Sequence, residues 1–496
     1  MNAPIDWHAR AKAITFSGKA FIDGQYVPAT NGETFSAITP TNGAVLTEIA
    51  SCDTPDVDRA VGAARRSFEA GVWSMRAPAE RKAVLLHAAE LIEAARDELA
   101  LLETLDMGKP IADSLRVDVP ASVLCLRWYA EAADKLYDEI APTGPSARAF
   151  ITREPIGVVG AVVPWNFPMM MAMWKLAPAL MAGNSVILKP AEQSSLTALR
   201  LGQIFAEAGL PPGVLNVVPG LGHRAGKAIG LHPDVDLVTF TGSTEVGKLF
   251  LQYAGQSNMK RISLECGGKS PHVVLADSPD LDTVAKAVSQ GIFFNQGEMC
   301  TAGSRLLVDR RVKDELLEKV VGYARQRRIG DPLDTSTDVG ALVEQGHMDR
   351  VLGYIGSGLA EGANLAIGGE RVLQDTGGYF VAPTVLDGVT RKMKVAQEEI
   401  FGPVLATVTF DGMEEGIEIA NDSIYGLAAA VWTRDINTAF KAARALKSGM
   451  VYVNCYDRDD YTVPFGGFKQ SGTGRDKSLH AIEKYTELKT TWIAIE

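Results

Sequence analysis

Cysteine is scarce: Cys52, Cys125, Cys266, Cys300 and Cys455 are the five in a chain of 496 residues. They are odd in number, scattered and without a CxxC pair, which argues against a disulfide framework or a structural zinc site and for a reducing compartment. Basic runs are missing too, and the net charge of -11 is spread along the chain, so nucleic acid is not an expected partner. The most apolar stretch, IGVVGAVVPWNFPMMMAMW, is interrupted by Pro164, Asn166 and Pro168 before it could span a bilayer. The opening MNAPIDWHARAKAITFSGKA lacks the charged, apolar and small-residue sections of a secretory signal. Repeats and low-complexity tracts are absent. The expectation is a soluble cytoplasmic protein with no metal site, no membrane partner and no nucleic-acid partner.

What is present is an ordinary globular composition, 46% hydrophobic and 22% charged, with 48 glycines placed mostly at strand-to-helix turns. That favours an α/β chain of two to four domains. Residues 55–72 and 78–106 carry apolar positions at spacings of three and four (Val57, Val61, Ala64, Phe68; Leu85, Ala89, Ile92, Ala95) and predict amphipathic helices. From Ile156 the pattern changes. GVVGAVV, SVILKP, VLNVV, LVTFTG and RISLE alternate with helical stretches, as successive βαβ units on a parallel sheet would. A second alternating series follows Gly267 and Gly268, with helices over about 281–294 and 312–327. The expected units are 1–135 with 155–266 as a nucleotide-binding domain and 267–470 as a second α/β domain. Segments 136–154 and 483–496 read as strands without a place in either sheet, suited to pairing across subunits.

Four stretches raise chemical questions. FFNQGEMCTAGSR (293–305) sets Cys300 beside a glycine-bearing loop, where a thiol is either a small packed hydrophobe or a nucleophile. PGLGHRAG offers Gly220, Gly222 and Gly226, one residue off the usual dinucleotide fingerprint. In TFTGSTEVG a strand ends at Phe240, Gly242 permits a tight turn, and Ser243 opens a helix whose free N–H groups suit a pyrophosphate. A plain serine N-cap reads the same residues equally well. VILKPAEQS puts Lys189 and Glu192 directly after a buried strand, where open α/β sheets bind ligands. A carboxylate there accepts both ribose hydroxyls and repels a 2′-phosphate, which favours NAD over NADP; a surface salt bridge is the alternative.

PWNFP (164–168), LKPAE (188–192), FTGSTEVG (240–247), LECGGKSP (264–271), FNQGEMC (294–300), EEIFGPV (398–404) and PFGGFKQSGTGRD (464–476) occur in one order along nearly the whole chain. On these motifs the chain resembles the aldehyde dehydrogenase superfamily. NMKRISLE and GRDKSLHAIEKYTELKTTWI are most similar to bacterial members that oxidise γ-glutamyl-γ-aminobutyraldehyde or 4-guanidinobutyraldehyde. The resemblance implies a Rossmann-like NAD-binding domain, a second α/β catalytic domain, and a small β arm that assembles a homodimer or homotetramer.

It also implies roles. Cys300 looks like the nucleophile, Glu265 the general base, and Asn166 the oxyanion donor beside the Cys300 N–H. Lys175 and Asp476 match positions linked to proton relay, although Asp476 stands where Glu is frequent. Glu399 and Phe401 correspond to contacts on the nicotinamide ribose and ring. Val162, Val163, Pro164, Trp165, Lys189, Ala191, Glu192, Gly222, Gly226, Phe240, Gly242, Ser243, Val246, Leu264 and Gly267 line the implied cofactor cleft. His347 stands where many relatives have a Gln on the adenine ribose, a contact not carried over. Cys266 departs from the usual Leu or Ala, either as filling or as an oxidant-sensitive thiol.

The chemistry agrees with these roles. Hydride leaves an aldehyde carbon readily only after a nucleophile has made it tetrahedral, and sulfur leaves well from the thioester that follows. At an ordinary pKa only about 3% of a thiol is ionised at pH 7, so a nicotinamide cation or backbone N–H groups must assist. No histidine flanks Cys300, which disfavours a cysteine hydrolase, and Glu265 favours water over coenzyme A as acyl acceptor. The φ freedom of Gly267 and Gly268 is expected to let the Glu265 carboxylate swing. A non-catalytic relative of the same fold is the remaining rival.

The resemblance places Phe167, Met171, Trp174, Met299, Thr301 and Phe465 around a small-molecule aldehyde. CYDRDDYTVPF, at the implied mouth, sets Asp457, Asp459 and Asp460 against Arg458 alone. Relatives acting on simple aldehydes often have an aromatic at the position of Asp459. A negative mouth favours an amino or guanidino aldehyde; aromatic or broad aliphatic aldehydes are the alternative.

Overall fold

The computed structural model describes residues 5–458 and 460–496. Two seven-stranded sheets carry the chain. In the first, strands lie in the order Arg261–Glu265, Leu237–Thr241, Val158–Val162, Ser185–Lys189, Leu215–Val217, Ala20–Ile22 and Gln25–Val27. Its first five strands are parallel and, apart from Arg261 and Ile262 at the start of the edge strand, buried, as short β-branched runs between helices require. From Val158–Val162 the chain steps to Ser185–Lys189 on one side and returns later to Leu237–Thr241 on the other. That reversal opens a crevice at the carboxyl ends of the two strands, between Val163–Trp165 and Gly242–Ser243.

The second sheet runs Asn364–Ile367, Thr384–Asp387, Val404–Phe410, Arg305–Asp309, Pro271–Val274, Ala428–Trp432 and Met450–Val453, parallel except at its first edge. Glu265 ends an edge strand of the first sheet, whereas Cys300 and Phe401 precede strands of the second. The carboxyl edge of one sheet therefore supplies groups to the same place as the amino edge of the other. The helix Pro168–Met181 is buried along almost its whole length and brings Lys175 behind that place. Here the apolar, proline-interrupted run is a strand, a turn and a core helix. No helix among the described residues is long and apolar enough to cross a membrane.

Thr486–Ala494, Ala147–Pro155 and Glu139–Ala141 form a separate antiparallel sheet, with Ile140, Leu488, Trp492 and Ile493 exposed on it. The helix expected over 78–106 is two helices, Pro78–Ala94 and Arg96–Met107. Asp97 and Glu98 in the first turn of the second suit a fresh helix N-terminus, a local signal that the apolar spacing conceals.

Candidate active site

A cavity of about 520 Å³ lies between the two sheet edges. Of the residues singled out from the sequence, Pro164, Trp165, Asn166, Gly242, Ser243, Glu265, Gly267, Cys300, Glu399 and Phe401 line it. So do Phe167, Met171, Trp174, Met299, Thr301, Asp457 and Phe465. Val162, Val163, Phe240 and Leu264 are buried at the adjoining strand ends, and Val246 is exposed on the helix after Ser243. Lys189, Ala191, Glu192, Gly222 and Gly226 form a second group away from this lining. The Glu192 carboxylate accepts the Gly222 N–H at 2.5 Å and lies 3.7 Å from the buried Lys189 ammonium. Asp459 lies outside the described residues.

Cys300 is half-buried, with its neighbour Thr301 buried beside it. Burial pushes its thiol up to about 12, helped by the negative charge of Glu399, Asp457 and Glu265. The loop before it is left-handed at three successive residues, Asn295 (φ 49°), Gln296 (φ 56°) and Gly297 (φ 73°). Non-glycine residues held there cost about 1–3 kcal/mol each and persist only where the surroundings fix them. The surroundings do so: Gln296 Oε1 accepts the Gly340 N–H at 3.1 Å and Glu298 Oε1 accepts the Val343 N–H at 3.0 Å. Asn166 Nδ2 donates to the Glu298 carbonyl at 2.9 Å, and Asn295 Nδ2 donates to the same oxygen at 3.0 Å. An amide nitrogen has two hydrogens, so Asn166 keeps a second one for a ligand. Among the described residues no acceptor takes the Cys300 N–H.

Glu265 is buried, and neither carboxylate oxygen has a hydrogen-bond partner. Burial and then the charge of Asp476 push its carboxyl well above the ordinary range. Asp476 is the opposite case. Burial raises it, but the ammonium groups of Lys175 and Lys484 outweigh that and hold it below its ordinary value. Lys484 Nζ is 2.5 Å from one carboxylate oxygen and Lys175 donates to the other. Lys484 was not foreseen because a lysine eight residues on, in a segment read as a strand, gave no sign of turning inward.

The glycines have a different reason from the expected one. Gly242, Gly267 and Gly268 are not among the positive-φ residues, so φ freedom is not what they supply. A Cβ on Gly267 would lie 2.0 Å from Glu399 Oε2, and one on Gly268 would lie 2.5 Å from the Cys300 carbonyl oxygen. Gly242 would meet the Phe240 ring at 2.4 Å. Close approach, not conformational range, selects glycine here. The Glu399 carboxylate accepts the Gly268 N–H at 2.8 Å and is raised to about 7 by burial. Ser243 is the N-cap of Thr244–Gln256, its hydroxyl oxygen accepting the Val246 N–H at 3.2 Å. The capping reading is therefore correct, and it leaves the hydroxyl proton and the cavity-lining position of Ser243 intact.

Arg350 and Lys477 were not foreseen either, and His347 was named without a role. Imidazole Nε2 of buried His347 lies 2.7 Å from the Phe401 carbonyl, and Arg350 donates to Nδ1 at 3.1 Å. Burial lowers this histidine to about 4, keeping it neutral. Its ring packs on Trp165, and Trp165 on Phe401, both at 5.3 Å. Arg350 also lines the cavity. At the opposite end, Lys477 Nζ sits 4.5 Å from the Trp174 ring and 5.6 Å from that of Phe465. The negative balance read from Asp457 and its neighbours thus omitted a buried ammonium in the same wall.

Comparison with known proteins agrees with this geometry. The model of the family described as "Aldehyde dehydrogenase family" matches residues 26–491. The chain is 51% identical over 490 residues to the NADP/NAD-dependent aldehyde dehydrogenase PuuC of Escherichia coli, covering 99% of this chain and 98% of PuuC. The solved P. syringae indole-3-acetaldehyde dehydrogenase AldA, a mutant in complex with NAD+ and IAA, is 57% identical with a TM-score of 0.98, 99% of each chain being covered. The γ-glutamyl-γ-aminobutyraldehyde dehydrogenase of Burkholderia cenocepacia is 55% identical with a TM-score of 0.97, again over 99% of each.

Proposed function

The chain belongs to the aldehyde dehydrogenase family and is an NAD-dependent aldehyde dehydrogenase; from that premise we propose that its substrate is an aldehyde with an amino, γ-glutamylamino or guanidino end. One observation carries the proposed chemistry: a single cavity collects a half-exposed thiol, a side-chain amide with a spare hydrogen, and a buried carboxyl.

The cleft fits a nicotinamide dinucleotide on its own chemistry. It lies at the strand-order reversal, beside the N-terminus of a 13-residue helix, and Thr241 Oγ1 beside it is buried without a partner. Trp165, Ser243, Glu399 and Phe401 would hold the nicotinamide half and the phosphates, with Lys189 and Glu192 on the far ribose. Glu192 disfavours a 2′-phosphate, so NADP is the less favoured cofactor. When bound, NAD accepts the hydride.

The chain's own residues do the rest. Cys300 sulfur gives its proton to water in the cavity and adds to the aldehyde carbon, forming a thiohemiacetal. The spare Asn166 hydrogen and the Cys300 N–H hold the oxyanion, and loss of the hydride leaves a thioester. Glu265 takes a proton from the water that attacks this thioester, the C–S bond breaks, and acid and thiol are released. As packed, the Glu265 carboxyl is kept up by burial and by Asp476. Turning toward Cys300 and an admitted water relieves both, so the carboxyl ionises there, while Lys175 and Lys484, as ammonium groups, hold Asp476 anionic behind it.

Exposed Asp457 and Asp460 support a cationic end on the substrate, and the Burkholderia relative, named for γ-glutamyl-γ-aminobutyraldehyde, supports the proposed class. A second reading, an aromatic aldehyde, is favoured by Trp174 against Phe465 at 5.0 Å and by the indole-3-acetaldehyde relative. The test compares kcat/KM for 4-guanidinobutyraldehyde and 4-aminobutyraldehyde with hexanal and indole-3-acetaldehyde, with NAD and with NADP. A preference for uncharged aldehydes, unchanged in Asp460→Asn, would refute the cationic class. Five unpaired cysteines suit a cytoplasmic setting. The exposed apolar residues of the three-stranded arm suit a homodimer or homotetramer. Residues 1–135 with 155–266, and 267–470, are proposed as the cofactor and catalytic domains.

A further inference from the structure

Behind the nucleophile, outside the cavity lining, three aromatic side chains stack, beginning one strand in from an edge of the second sheet. Trp432, on Ala428–Trp432, donates its indole N–H to Nδ1 of His272 at 3.2 Å; His272 is on the neighbouring strand Pro271–Val274. The His272 ring lies 4.2 Å from that of Tyr456. The Tyr456 hydroxyl donates to the carbonyl oxygen of Thr301, the residue after Cys300. Tyr456 is buried and does not line the cavity.

Two glycines make room for this stack, and both belong to the nucleophile segment. A Cβ on Gly291 would lie 2.9 Å from the Tyr456 ring, and a Cβ on Gly303 would lie 2.2 Å from His272 Nε2. Gly303 N–H in turn donates to the Gly291 carbonyl at 3.1 Å, closing the segment into a loop whose base rests on the two rings. Asp457, next to Tyr456, accepts from the Thr301 hydroxyl at 3.4 Å while holding φ at 51°. Thr301 is therefore held by its carbonyl and by its hydroxyl, from adjacent residues of one loop.

We propose that Tyr456 is a positioning residue for the nucleophile: its hydroxyl fixes the Thr301–Ala302 peptide, one residue past Cys300, and the His272 ring fixes Tyr456. The reasoning is geometric. The Thr301 carbonyl can turn if its donor is lost, and Cys300 turns with it, carrying both the thiol and the N–H offered to the oxyanion. Misplacement of a reacting group by about 1 Å costs up to about 100-fold in rate. The cofactor contacts at Lys189, Glu192 and Ser243, on the first sheet, are untouched by such a turn.

The test uses the full-length enzyme and single-turnover NADH formation, with enzyme in excess over hexanal and NAD saturating. Tyr456→Phe, which keeps the ring and removes the hydroxyl, is expected to slow this step about 10- to 100-fold. NAD affinity, measured by quenching of tryptophan fluorescence, should stay within about twofold, since no cofactor contact changes. His272→Asn, which keeps the hydroxyl but loosens its ring, should slow the step about 3- to 10-fold and reads the same device if Tyr456→Phe fails to fold. A rate within twofold of wild type in a folded Tyr456→Phe, or a loss matched by an equal loss of NAD affinity, overturns the proposal. The inference rests on Cys300 as nucleophile, and Cys300→Ala run alongside separates the two. NADH formed by that variant removes the premise, whereas an unslowed Tyr456→Phe removes only the positioning role.

Discussion

On one wall of the cavity Asn166 stands between the strand Val158–Val162 and the helix Pro168–Met181, and no residue from 158 to 181 has positive φ. On the other, Cys300, Phe401 and Asp457 sit on loops in which Asn295, Gln296, Phe401 and Asp457 are all left-handed. The first wall is fixed by hydrogen bonds that any strand and helix make. The second stores strain, about 1–3 kcal/mol per residue, and is fixed by side chains and amides from distant segments: Gly340, Val343, His347 and Tyr456. The proposed oxyanion donor stands between two regular elements, whereas the proposed nucleophile, together with Phe401, sits where its orientation can be set independently of helix or strand geometry.

Five measurements probe this contrast. Cys300→Ala should remove dehydrogenase turnover altogether while NAD binding persists, because the first wall and the cleft are intact. Glu265→Gln should lower steady-state turnover by about 10²–10⁴-fold while sparing the first hydride step, so that pre-steady-state NADH formation outlasts turnover. Asn166→Ala should cost about 10²–10³ in kcat, the range for one oxyanion donor, with little change in Tm because regular elements hold that wall. Gly297→Ala should behave in the reverse manner. Its Cβ would lie 2.2 Å from the Gly402 carbonyl oxygen at φ 73°, so stability should fall by about 1–3 kcal/mol, read by urea unfolding. A variant with unchanged stability would mean the strained loop is not fixed as described. The smallest effect concerns pH. With its thiol raised to about 12, the free enzyme is protonated at Cys300 at pH 7, so iodoacetamide alkylation should be slow there and still rising at pH 10. A rate that levels off near pH 8 would contradict the placement of Glu399, Asp457 and Glu265 around the sulfur.

Much of the proposed site was legible because its residues sit near strand ends within short motifs: Glu265 ending RISLE, Asn166 in PWNFP, Cys300 before RLLV. Periodicity finds the strands; the roles of the three residues came from the resemblance that the motifs carry together. Two kinds of error mark the limits. The glycines at 242, 267 and 268 were identified as needed but for the wrong reason, since a sequence cannot distinguish a backbone that must bend from one that must be approached. Lys477 and Tyr456 were passed over, and His347 was left without a role, because each gains its meaning from a partner distant in the chain: Trp174, Thr301 and Phe401. The long helix read over 78–106 broke at Ala95 for the opposite reason, a local acidic cluster outweighed by apolar spacing.

The order of motifs in the chain was enough to specify two α/β sheets and to propose the reacting sulfur and its acid–base partners, because strand-forming runs and the residues that end them are local in the chain. Tertiary structure alone settled protonation and orientation. Burial and neighbouring charge hold Glu265 high and Asp476 low, though both are carboxyls, and they raise a thiol whose composition predicts nothing unusual. Those are properties of the space around an atom, and that space is assembled from segments far apart in the chain.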